Sequence, residues 1–100
     1  SDQTDPHSAV EVSMLLGQVL SDAGRKEEAS EQYIDALVLA EANDFRMLQG
    51  EILARLGEVE NDRSQKMDYL QRSLSVFREL GAVDRMREVQ NSVHRAVMGN

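Results

Sequence analysis

The 100-residue chain has no cysteine, no tryptophan and a single proline. Without cysteine there are no disulfides and no thiolate metal ligands, which fits a reducing, cytoplasmic setting. Phe and Tyr number four together, so Leu, Val, Ala, Ile and Met must fill any core. No apolar run approaches the roughly 18 residues that a membrane span needs. Histidine is almost as scarce. His7 lies in the polar start of the chain, and His94 has no second His or Cys at ligand spacing. No glycine-rich loop is present to cradle a phosphate. The paired acids Glu27-Glu28 and Glu58-x-Glu60 fall on turn-like stretches, where nothing would raise one carboxyl pKa for acid–base work. The expectation is a chain with no catalytic residues, no metal and no cofactor.

Charge narrows the field further. The net charge of −7 is unevenly placed: residues 1–50 hold ten acids and three bases, while 51–100 hold eight of each. There is no basic stripe for nucleic acid. The acidic half reads as a solvated surface or as an attractor for a basic protein or peptide.

What is present is helical periodicity on the scale of one small domain. Two stretches, Met14 to Gly24 and Met47 to Gly57, repeat one pattern 33 residues apart. Each holds a glycine inside a strong helical run (Gly17, Gly50) and another at its end (Gly24, Gly57). A mid-helix glycine costs roughly 1 kcal/mol against alanine. Two at equivalent points imply a neighbouring helix crossing too close for a side chain. A period in the thirties made of helix pairs is the mark of a helical repeat array.

Five helices follow from the spacing of apolar residues and stop signals. Ser1 to His7 reads as a frayed segment. The capping box Ser8-Ala-Val-Glu11 opens the first helix, with Asp5-Pro6 as an earlier candidate start; the helix stops at Gly24. The second runs from Arg25 to about Asn43, with Ala29, Tyr33, Ala36, Leu37 and Ala40 inward. The third runs from Asp44 to Gly57 or slightly beyond, with Leu48, Ile52, Leu53 and Leu56 inward. The fourth runs from Ser64 to Gly81 on Met67, Leu70, Leu74 and Phe77. The fifth runs from Val83 to Val97 on Met86, Val89, Val93 and Ala96. No strand-like alternation occurs, so the fold class is all-α.

Leu16-Gly17, Leu20, Gly24, Ala29, Tyr33 and Ala36 resemble the tetratricopeptide repeat (TPR). The second copy keeps Gly50, Leu53 and Gly57, adds about four residues before its second helix, and has Ser73 in place of Ala36. Neither copy carries the closing proline or the early aromatic of the first helix. The match resembles the longer, near-40-residue variety of the repeat. It implies antiparallel helix hairpins stacked as a short right-handed superhelix of about two and a half repeats: 8–43, 44–81, and a capping helix at 83–97. It further implies a cytoplasmic protein–protein interaction module or scaffold within a larger signalling or regulatory protein. Such arrays bind a peptide or helix along the concave face of their first helices. Projection of the helices puts Glu11, Met14, Gln18 and Asp22 of the first helix in register with Asp44, Met47, Glu51 and Arg55 of the third, and these eight are the candidate partner-binding residues.

The first helix has a second peculiarity. Val12, Leu15, Leu16, Val19, Leu20 and Ala23 cover more than a third of its circumference, whereas the end helix of an array needs a polar outer face. The fifth helix meets that need through Arg87, Glu88, Asn91 and Arg95. The expectation is that the start of the chain was cut from a longer array or meets another copy of itself, and the alternative role is a structural connector or a homodimer joined along Val12, Leu15 and Val19.

Overall fold

A computed structural model describes residues 5–99 as five helices: α1 (Pro6–Asp22), α2 (Lys26–Ala42), α3 (Arg46–Val59), α4 (Arg63–Leu80) and α5 (Val83–Met98), with no strand among the described residues. The all-α class is as expected. Each helix packs on the next in the chain. No helix is long and apolar enough to cross a membrane.

The start of α1 differs from the capping-box expectation. Asp5, not Ser8, is the N-cap: its carboxylate accepts the Ser8 amide at 3.0 Å and the Ser8 hydroxyl at 2.7 Å. Pro6 takes the first helical position, where its missing N–H is harmless and its φ is already helical. A charged acceptor joined to a pre-set φ outcompetes the serine, and the helix gains most of a turn. Pro6 and His7 are therefore helical; the rest of the expected frayed segment, residues 1–4, lies outside the described residues.

Three of the four turns share one closure. Gly24, Asp44 and Gly81 adopt left-handed backbone, with φ of 80°, 57° and 68°. In each turn the next residue donates its amide to a carbonyl five residues back: Arg25 to Leu20, Phe45 to Ala40, Ala82 to Phe77, all at 2.9 Å. This is the bond that satisfies orphan carbonyls at a helix end. The α3–α4 turn is built otherwise. As expected, α3 ends slightly beyond Gly57, at Val59. There Lys66 donates its ammonium to the Gly57 carbonyl, and Asp62 caps α4 by accepting the Gln65 amide at 2.9 Å.

The in-helix glycines sit where helices cross. A Cβ on Gly17 would stand 2.5–2.8 Å from the Tyr33 ring of α2, and one on Gly50 2.6–2.9 Å from the Phe77 ring of α4. A Cβ on Gly57 would meet Leu70 of α4 at 2.6 Å. The glycines thus let a large buried side chain lie on the helix backbone, as the repeated spacing requires.

The two hairpins cross at different distances from their turns. Gly17 meets a residue sixteen positions on, and Gly50 one twenty-seven positions on. The extra eleven residues are not loop. They lengthen both helices at the turn end, since nothing in Glu58-Val59 or Arg63-Ser64-Gln65-Lys66 stops a helix. Phe77 is accordingly the counterpart of Tyr33, and Ser73 that of Ala29 rather than Ala36. Ser73 is fully buried and satisfies its hydroxyl on the Gly50 carbonyl at 2.7 Å. One core joins α1, α2 and α3 around Tyr33, Ile52 and Leu56, with Val76 of α4; a second joins α4 and α5 around Leu70, Leu74, Phe77 and Val89.

Candidate interaction surface

The odd-numbered helices share one face. Between α1 and α3 lies a depression of about 290 Å³ that contains Glu11, Met14, Gln18, Glu51 and Arg55, with Leu15 and Leu48 at its rim. Five of the eight candidate residues, drawn from two helices, therefore meet in one place. Gln18 ties the helices together: its carboxamide oxygen accepts from Arg55 and its nitrogen donates to Asp22 at 2.9 Å.

Three candidates lie outside the depression. Asp22 is exposed on the last turn of α1 and reaches the site only through Gln18. Asp44 was expected at the start of α3, but it is the left-handed residue of the α2–α3 turn. A short polar side chain tolerates that conformation, so the turn claims it. Met47 is exposed in the first turn of α3, whereas Met14 packs against the core. The methionine pair is thus equivalent in register and different in environment.

The surface continues onto α5. A second depression of about 560 Å³ separates α3 from α5, walled by Glu51, Arg55 and Glu58 on one side and by Arg85, Glu88 and Arg95 on the other. Glu51 accepts from Arg85 at 2.5 Å, and this carboxylate holds the guanidinium pKa above its ordinary value, first by hydrogen bonding and then by charge. Glu88, Asn91 and Arg95 of α5, expected on the polar outer face of an end helix, are exposed and also line this cleft. The signal was present: Arg85, Glu88, Ser92 and Arg95 recur at spacings of three and four, which marks one helical face. It pointed inward because the apolar residues of α5, Met86, Val89 and Val93, turn toward α4.

The joined surface is amphoteric. Glu11, Glu51, Glu58 and Glu88 alternate with Arg55, Arg85 and Arg95, so the acidic excess of the first half is not concentrated here. No group of His, Cys, Asp and Glu among the described residues could hold a metal ion. The chain matches no family model, no curated protein and no solved structure.

Proposed function

We propose that the chain is a protein–protein interaction module of TPR-like hairpins that takes a peptide or helix of a partner along the α1–α3–α5 face. The observation that carries this reading is the meeting of Gln18, Glu51 and Arg55 in one depression, with Arg55 donating to Gln18 across 37 residues of sequence and Arg85 of α5 donating to Glu51 across 34. A chain of hairpins that used each helix only for packing has no need to align polar side chains of alternate helices. The alternation of carboxylates and guanidiniums favours a segment that bears both charge signs, because such a surface repels runs of either sign and rewards matched pairs. The depressions are shallow and few, so affinity should be modest and should come from a small number of anchor contacts.

The test is capture by the wild-type chain against the Glu51→Lys variant. A surface ion pair of this kind contributes at most about 1 kcal/mol to folding, so the variant should stay folded by circular dichroism. Its binding should fall by about tenfold or more. A partner retained at full strength by Glu51→Lys would refute the assignment of this face.

A further inference from the structure

We propose that the outer face of α1 is a second docking site, and that it takes an amphipathic helix of a partner whose apolar stripe is flanked by Lys and Arg. Val12, Leu15, Leu16 and Val19 are 54, 66, 48 and 59 % exposed. Their spacing of three, one and three makes a continuous stripe on the side of α1 turned away from Tyr33.

The chain itself shows what such a stripe is built to meet. The Gly17 and Gly50 crossings put α1 and α3 in register at 33 residues. The counterparts of the α1 stripe are Phe45, at the cap of α3, and Leu48, Gln49 and Ile52 on the helix itself. Gln49 is 6 % and Ile52 0 % exposed, and Phe45 and Leu48 pack against the same core. The helix α2 packs on α3 beside Gln49 and Ile52, and Gln49 donates to its Ala40 carbonyl at 3.2 Å, while Phe45 meets the His7 ring of α1 at 5.2 Å. A helix laid along α1 as α2 lies along α3 would bury the four exposed residues in the same way.

Charge selects the occupant. From Asp5 to Asp22 there is no Lys or Arg, and Glu11 and Asp22 lie on the row of Leu15, four residues before it and seven after. Among the described residues neither has a Lys or Arg partner: Glu11 faces His7 at 3.5 Å, and Asp22 accepts from Gln18. A second copy of the chain would set acid against acid along this edge. A helix with a basic flank would pair with both carboxylates.

The experiment uses two synthetic helices of about 18 residues, long enough to hold helix. They share one leucine stripe and differ in flanks, lysine in one and glutamate in the other. The lysine peptide should bind the monomeric chain at least about tenfold more tightly than its glutamate twin. Val19→Asp, at an exposed position, should abolish that binding without unfolding the chain. Glu11→Lys with Asp22→Lys should reverse the preference between the two peptides. Equal binding of both peptides, binding of neither, or a sedimenting dimer that Val19→Asp splits would each overturn the proposal; the last would assign the face to a second copy.

Discussion

A glycine under an aromatic ring makes opposite demands from a glycine in open helix. Alanine at Gly17 or Gly50 would gain roughly 1 kcal/mol of helix propensity. It would also place a methyl carbon 2.5–2.9 Å from carbons of the Tyr33 or Phe77 ring, and overpacking of this kind costs about 1–3 kcal/mol. The net sign is destabilising for both, and urea unfolding should show it. Paired with Tyr33→Leu, the Gly17→Ala change should lose part of its effect, because the two positions share one contact. Asp5 offers a second residue-scale test. Hydrogen bonds from the Ser8 side chain, then from its backbone, lower the Asp5 carboxyl below its ordinary 3.8. A lowered folded pKa means stability that is present above 3.8 and lost as pH falls through the lower folded value. The wild-type chain should therefore lose more thermal stability on acidification than Asp5→Asn, with the difference confined to pH below about 4.

Single helices explain both what could be read in advance and what could not. The faces of α2 and α4 are legible because Tyr33, Leu37, Leu70, Leu74 and Phe77 recur at helical spacing, and the turns at Gly24 and Gly81 because only those φ values demand glycine. Two boundaries were legible only in part. Asp5 and Ser8 are both good caps, and only the Pro6 geometry decides between them. The end of α3 was legible only as Gly57 or slightly beyond; no side chain after Gly57 resists helix, so α3 runs to Val59 and Gly57 lies over Leu70. The site was legible as a register and not as a network. Helical projection places Gln18 and Glu51 on one face, but the bonds to Arg55 and Arg85 join residues far apart in sequence, which spacing alone does not pair. At this scale α1 and α3 make a matched comparison. Val19→Ser on the exposed stripe should change stability by no more than about 0.5 kcal/mol. Ile52→Ala, at the equivalent and fully buried position, should cost about 2–5 kcal/mol. Equal effects at the two sites, measured by thermal unfolding, would contradict the description of α1 as uncovered.

Taken as a whole molecule, the chain sets its polar alternation beside its uncovered apolar stripe, and the two meet at Glu11 and Leu15. The helices supply the walls, the glycine crossings bring them close, and left-handed residues close three of the four turns. What α1, α3 and α5 then present is a strip of matched carboxylates and guanidiniums, and the proposed function rests on the strip and not on any one residue. The most direct measurement is photo-crosslinking from a reactive side chain placed at Gln18 or Glu51, compared with one at exposed Asp68 on α4. Partner should be captured from positions 18 and 51 and not from 68. Capture from 68 with none from 18 or 51 would contradict a binding face made by the odd-numbered helices.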